Sequence, residues 1–433
     1  MTLRPERLAI SSAFFVQGLL FITLTLRLPV VQDLLDLSAL ALSGIMLMLV
    51  LLAGAGSVVA ETLARHFDSA RTLRLALVII AVGFVLIAMG VRGDGSLPVF
   101  APGVAVYGLG LGANDAASNM QAVALEHQVG RPVMPSFHAA WTAGGLLATG
   151  LAFVPVSFPV MVGALTLAPL AVLATPLLRR AIPGIAEPVT TEELGIPWSR
   201  ILLVGVALIL FYMVDTSATA WGPVYLSSPL VFDNPPTNSA MFALATLPYL
   251  AATLLARLFG DALTTRLGAR TLVRAGSVLA FIGLAIIVFA PRSMWQIGIL
   301  GFFVVGLGVA VIAPLAFSAA ARIASETSQA GMDDAAHRAR VDAVIARFNQ
   351  FNYVGALLGA VLTGAIGSGN LRIGYAVPMV LILAMLPLAR HFVGPRAPAP
   401  VDSSSLALTR TPPGLSTSSE GDGPTSGAAT DMQ

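Results

Sequence analysis

The chain has 433 residues, of which 56% are hydrophobic and 11% charged, with no cysteine and a formal net charge of +2. Soluble domains carry about 25% charged residues, so this composition indicates a protein of many membrane spans. The missing cysteine excludes disulfides, thiolate catalysis and cysteine-ligated metal or iron–sulfur sites, and the small, scattered charge leaves no footprint for nucleic acid.

A span needs about 20 apolar residues. Twelve stretches qualify: Leu8–Leu28, Ala39–Ala60, Leu73–Val91, Pro98–Leu125, Pro135–Pro155, Pro159–Leu178, Ile201–Trp221, Ser239–Phe259, Leu272–Ala290, Gln296–Ala320, Val341–Ile366 and Ile373–Phe392. The first is long enough to cross and has no small-residue cleavage site behind it, so it reads as a span, not a removable signal. All 24 basic residues are Arg. If both termini are inside, 18 of them lie on inner segments and four (Arg27, Arg92, Arg292 and Arg372) on outer ones. That bias is what the positive-inside rule requires, and one missed span would scramble it.

Residues 179–200 contain Glu187, Glu192, Glu193 and three prolines, the composition of a cytoplasmic linker between two six-span halves, 1–178 and 201–393. The halves show traces of duplication. A shift of 200 aligns Glu61, Leu63 and Arg74 with Asp261, Leu263 and Arg274, and a shift of 211 aligns Phe137 and Gly144 with Phe348 and Gly355. Gly108 and Gly110 match Gly306 and Gly308 in the fourth span of each half. Residues 394–433, rich in Pro, Ser, Thr and Gly, read as a disordered cytoplasmic tail.

The candidate site centres on Gly108–Glu126, GLGLGANDAASNMQAVALE. An Asp at the centre of a spanning helix costs about 2.5–3.5 kcal/mol on insertion scales, so such residues face a bundle interior or a watery cavity. On a helix Asp115, Asn119, Ala122 and Glu126 fall on one stripe. Asp115 lies about 15 Å from the inner end of its span, near the midplane. The alternative reading is that Asp115 and Asn119 hydrogen-bond a neighbouring helix as glue. Asn114 and Gln121 flank the stripe, and Gln17 in the first span is a candidate partner.

Asp215 sits in the seventh span, somewhat toward the outside; a hydrogen bond to Thr216 or Thr219 is its plainer reading. His138 and Trp141, one turn apart, suit a proton relay and a flat-ligand platform respectively, or else interfacial packing. Trp221 has the same two readings. Arg347 either snorkels to the interface or pairs with an anionic substrate or Asp115. Asn349, Gln350 and Asn352 add donors and acceptors beside it. The charged stretch Glu326–Asp342 reads as a solvated loop, or as a cytoplasmic helix touching the linker. No P-loop, HExxH or GxSxG occurs and no two His lie at i, i+4, so no enzyme, ATP-driven pump, cofactor or metal is expected.

The loop after the eighth span, Asp261-Ala-Leu-Thr-Thr265-Arg266-Leu-Gly268-Ala-Arg270, preceded by Arg257-Leu-Phe-Gly260, resembles the signature loop of the major facilitator superfamily. It has Thr265 where that signature has an Asp. The loop after the second span carries Arg65, His66 and Asp68 at the Asp, basic and Gly positions. The resemblance covers about residues 8 to 393. Asn114-Asp115 with Asn119 and Gln121, Gly130-Arg131-Pro132, Phe137-His138-Ala139, and Asp215, Trp221 and Tyr225 are similar to a bacterial branch related to sugar permeases.

The resemblance implies an all-α inner-membrane protein of twelve spans whose first, fourth, seventh and tenth spans line a central cavity. It further implies gate loops carrying Glu61, Arg65, Arg257, Asp261, Arg266 and Arg270. The expected function is secondary transport of a small organic solute coupled to protons, with Asp115, and less centrally Asp215, taking up the proton; a carboxylate in a poorly hydrated site can bind one near neutral pH. The expected partners are that solute, protons and the bilayer, with the chain acting as a monomer. Gly144, Gly145 and Gly150 replace the Gly-Pro-rich fifth-span motif of the superfamily's drug antiporters. Export of amphipathic compounds therefore ranks second, with a non-transporting solute sensor as the third alternative.

Overall fold

A computed structural model describes residues 5–27, 30–31, 34–37, 39–151, 154, 156–174, 198–236, 239–326, 334–367 and 369–392. Most of the expected linker and the whole expected tail lie outside these residues. The described residues form helices joined by short turns, with no strand among them.

The first helices are α1 (Pro5–Leu26), α2 (Ala39–Phe67), α3 (Ser69–Gly90), α4 (Leu97–Val129), α5 (Met134–Leu151), α6 (Phe158–Leu165) and α7 (Leu167–Ala174). After residue 197 come α8 (Trp198–Ser227), α9 (Ser239–Leu267), α10 (Ala269–Phe289), α11 (Trp295–Val309), α12 (Ile312–Glu326), α13 (Asp334–Phe348), α14 (Gln350–Ile366) and α15 (Leu371–Leu381), with short helical turns continuing to His391. Eight of the helical rods are long and apolar enough to cross a membrane. The expected tenth span is two helices broken at Ala310–Val311, and the expected eleventh is two helices meeting at Asn349. Of the two readings of the charged stretch, loop or helix, the described part is helical from Asp334, and its Arg340 is buried, donating from Nε to the Ala324 carbonyl at 3.0 Å.

The apolar surface faces outward. Phe289, Phe259, Val160 and Leu51 are all more than half exposed, while Asn114, Ser118, Asn119 and Gln121 are fully buried. This inverts a soluble protein and suits a hydrocarbon solvent, in which backbone polar groups must be satisfied within the helices.

Helix pairing repeats along the chain. α1 packs on α5, and α4 on α2 and α3; in the same pattern α8 packs on α14, and α11 on α9 and α10. The matched glycines sit at matched contacts. A β-carbon on Gly108 would lie 3.0 Å from the Leu49 carbonyl oxygen of α2, and one on Gly306 2.4 Å from the Tyr249 oxygen of α9. Gly144 meets the Phe15 carbonyl of α1 as Gly355 meets the Ile209 carbonyl of α8. Small residues let the helix backbones touch, which is how helices associate where no hydrophobic effect separates them from lipid.

The turns after α2 and α9 also match. Gly268, the residue before α10, has φ 79° and ψ 150°, and Asp68, the residue before α3, has φ 88° and ψ 157°. That region is open to glycine and costs other residues about 1–3 kcal/mol. The Asp68 carboxylate offsets part of this by accepting a hydrogen bond from the Arg71 N–H at 2.7 Å, capping α3. Replacing Asp68 with Gly removes the strain and, because Gly is itself a tolerable cap, should leave the thermal midpoint in detergent unchanged or raised. Gly268→Ala should lower it, by about 1–3 kcal/mol of stability; equal effects at the two positions would contradict this.

Candidate functional site

Asp115 lies half-buried on α4, with donors converging on it from distant parts of the chain. Gln17 of α1 donates from Nε2 to Oδ1 at 3.2 Å, and Asn119, one turn on, approaches the same oxygen at 3.4 Å while donating to the Asp115 backbone carbonyl at 2.9 Å. Oδ2 accepts from Asn349 Nδ2 at 2.7 Å and from Asn352 Nδ2 at 3.2 Å. The amides are themselves linked, Asn114 Nδ2 donating to Gln17 Oε1 at 2.9 Å and Asn352 Nδ2 to Asn349 Oδ1 at 2.7 Å. This is an acceptor ringed by uncharged donors. It suits an ionised carboxylate, and the same amides can serve a hydroxyl-rich solute. The buried oxygens Asn114 Oδ1, Asn119 Oδ1 and Asn352 Oδ1 have no hydrogen-bond partner among the described residues.

Asp215, on α8, forms a second centre. Its carboxylate accepts from the Tyr249 hydroxyl of α9, while Thr219 reaches only its backbone carbonyl, at 2.8 Å. Tyr212 lies within electrostatic reach of both Asp115 and Asp215, so the two carboxylates border one region.

Arg257 of α9 is buried. Its Nε donates to the Ala310 carbonyl freed by the break between α11 and α12, at 2.8 Å. One terminal nitrogen reaches Thr142 Oγ1 at 2.6 Å and the His138 carbonyl at 3.2 Å on α5. Arg257 therefore sits inside the helix body rather than in a gate loop, holding three helices with one planar fork.

Toward the ends of α2 and α9 two further locks appear. Glu61 accepts from Arg347 Nε at 3.1 Å on both oxygens and also pairs with Arg65, and the Arg347 guanidinium lies 5.5 Å from the Trp198 ring centre. Asp261 accepts from the Ser136 backbone N–H at 3.1 Å, at the start of α5, and from Arg7 at 2.9 Å. The two acids are the pair aligned by the shift of 200. Their partners, Arg347 and Ser136, are aligned by the shift of 211.

A model of the Major Facilitator Superfamily matches residues 232–419. An uncharacterized transporter of Sinorhizobium fredii is 30% identical over 328 residues, covering 74% of this chain and 83% of its own length. The chain belongs to the major facilitator superfamily. It is a multi-pass transporter of the bacterial inner membrane. An MFS-type transporter of Yersinia pestis is 27% identical over 66% of this chain and 70% of its own. Two solved structures share the fold: a superfamily transporter, FucP, in the outward conformation (TM-score 0.68, 14% identity, 89% of this chain and 99% of that one) and the proton:xylose symporter XylE (TM-score 0.68, 13% identity, 93% and 98%).

For a superfamily transporter, the departures in the signature loops now have a physical reading. Thr265 is exposed, and the acid acts instead from Asp261, one helical turn earlier, where it reaches the N-terminus of α5. Arg266 and Arg270 are exposed. Of the sequence candidates, Gln17, Asn114, Asp115, Asn119, Asn349 and Asn352 form one network. Gln121 does not join it, bonding Ser69 of α3 at 2.8 Å, and Glu126 turns to the Val133 and Met134 N–H groups at the start of α5. Trp221 donates to the Ala360 carbonyl of α14, and Trp141 packs on Phe21 of α1. His138 lies between Phe14 and Phe317. Arg347 pairs with Glu61, a partner that the sequence reading did not offer. The sequence reading missed Tyr249 and Tyr212, aromatic residues in apolar runs that no polar spacing singled out, and Trp198, which it placed in the linker.

Removing the Arg257 fork takes from the buried Ala310 carbonyl its side-chain donor, at about 1–3 kcal/mol, while the His138 carbonyl keeps Thr142 Oγ1. Arg257→Met should therefore lower the detergent melting temperature clearly, and Arg257→Lys, which has no planar fork, by a similar amount. The exposed Arg266→Gln should stay within about 0.5 kcal/mol of the parent, so equal melting of the Arg257 and Arg266 variants would remove the clamp role.

Proposed function

We propose that this transporter moves a small polar, sugar-like solute by alternating access, coupled to protons, with Asp115 as the proton site. The observation that supports this most is the carboxylate near the midplane, half-buried and bound by uncharged donors, the amides of α1, α4 and the Asn349–Asn352 turn together with the Tyr353 hydroxyl. Ionised, it accepts from these donors; protonated, it carries a hydroxyl that faces N–H groups, and the ring has to rearrange. A site that changes its partners with one proton can bias which side of the protein opens. Asp215, paired to Tyr249, is a second group within the same region.

The architecture that goes with this reading has twelve spans in two halves, 1–178 and 201–393, joined by a cytoplasmic linker at 179–200, with both termini inside and a tail from 394. Recurring helix pairs and matched glycine contacts support the duplication, and the arginine bias supports the orientation. The Glu61–Arg347 and Asp261–Ser136 contacts then lie at the inner ends of the halves and hold that side shut, so the cavity faces outward. The sugar-like class rests on the amide-rich network and on the fold shared with proteins described as a fucose:proton symporter and a proton:xylose symporter. The protein works as a carrier, with no catalytic step and no cofactor.

A screen of the purified protein for thermal stabilisation by neutral sugars, organic acids and lipophilic cations should return a sugar-like compound. In proteoliposomes the native protein should then accumulate it down an imposed proton gradient. Asp115→Asn should abolish accumulation while sparing counterflow. Full accumulation by Asp115→Asn would remove Asp115 from coupling, stabilisation by lipophilic cations alone would favour export of amphipathic compounds, and binding without counterflow would indicate a sensor.

A further inference from the structure

The seam between α2 and the α13–α14 turn contains a residue that touches both the proposed proton site and the face of α2 that carries the inner lock. α13 stops at Phe348 and α14 starts at Gln350, so Asn349 occupies the break. It is fully buried. Its Nδ2 donates to Asp115 Oδ2 at 2.7 Å and lies 3.4 Å from Ser57 Oγ of α2. Ser57 in turn donates to the Ala346 carbonyl at 3.1 Å, and Gln350 donates to the Gly54 carbonyl at 3.1 Å. Gly54, Ser57 and Glu61 fall at i, i+3 and i+7, one face of α2, and that face is fastened to residues 346–350 along its length. The last fastening is the Glu61–Arg347 pair, whose cation is two residues from Asn349.

We infer that Asn349 is the positioning residue that transmits the charge of Asp115 to the inner lock. It rests on the proposed proton role of Asp115. The amide has two N–H groups, and here they satisfy the carboxylate and the α2 hydroxyl together. When Asp115 is protonated its bond to Asn349 weakens, the turn loses its anchor on α4, and Arg347 is carried away from Glu61. The groups facing Asp115 from the surrounding elements are Gln17 of α1, Tyr212 of α8 and Tyr353 of α14, with Asp215 and Arg257 beyond Tyr212. Those facing the lock are Arg65 and Trp198. Asn349 is the residue bonded to both Asp115 and the lock-bearing face of α2.

The native chain has no cysteine, so a single introduced thiol reports on the seam. Ala346→Cys places it at a fully buried position there, and Arg270→Cys, exposed, gives the reference rate at each pH. In the full-length protein in lipid nanodiscs, alkylation of Ala346→Cys relative to the reference should rise roughly tenfold from mildly alkaline to mildly acidic buffer, as expected for losing one hydrogen bond to a charged group. Adding Asn349→Ala should flatten this pH dependence, and Asn349→Ser, which keeps one donor for Asp115 and none for Ser57, should flatten it too. Asp115→Asn should hold the fast rate at both pH values. An undiminished pH dependence in both Asn349 variants would overturn the coupling role and leave the proton site standing. A flat profile in the protein with native Asn349 and Asp115 would overturn the proton site itself.

Discussion

The cost of a carboxylate in hydrocarbon organises this molecule. Asp115 needs donors, and α4 by itself supplies only Asn119, so the others come from Gln17, almost a hundred residues earlier, and from Asn349 and Asn352, more than two hundred residues later. Amides meet the need without cancelling the charge, which keeps the group responsive to a proton. A buried Arg in the same place would pair with Asp115 and fix it in one state, since breaking a buried ion pair is far more costly than exchanging a neutral hydrogen bond. The chain does place an Arg nearby, Arg257, but its hydrogen bonds go to backbone carbonyls and Thr142, and it serves as a clamp.

The Glu61 and Asp261 contacts show how a recurring pattern diverges while the geometry persists. Glu61 and Asp261 occupy corresponding turns and reach corresponding places, but one meets a guanidinium stacked on Trp198 and the other a helix N-terminus helped by Arg7. A helix start presents unpaired N–H groups and partial positive charge, so it can stand in for a cation. The same tolerance explains Asp68. The turn into α3 demands a backbone conformation that Gly268 adopts freely in the matching turn, and Asp68 adopts it while capping the helix. The decayed first-half signature therefore keeps its shape with different side chains.

The all-helical fold and its many membrane crossings were legible from residue order. Apolar length and arginine bias are one-dimensional properties, and Asp115 was conspicuous because nothing else explains an acid within such a run. The glycine matches at 108 and 306, and at 144 and 355, were faint as letters; in three dimensions they lie at equivalent backbone approaches. Where the reading went astray, the reason was a partner far away in sequence. Residue order offers Arg347 the interface, an anionic substrate or Asp115, and its hydrogen bonds go to Glu61, 286 residues away. Gln121 shares the helix with Asp115 but faces Ser69, because residues six apart on a helix point in different directions.

Sequence alone determined that this chain crosses a membrane many times, that its fold is all-helical, and that Asp115, an acid within an apolar run, needs polar partners, because each follows from the cost of moving a side chain from water into hydrocarbon. Only the tertiary structure decided which groups meet that carboxylate, that Arg257 mends a broken helix, and that Asn349 joins Asp115 to the α2 seam. Hydrogen-bond partners are chosen by direction and distance in space, and in this fold the partners lie hundreds of residues apart.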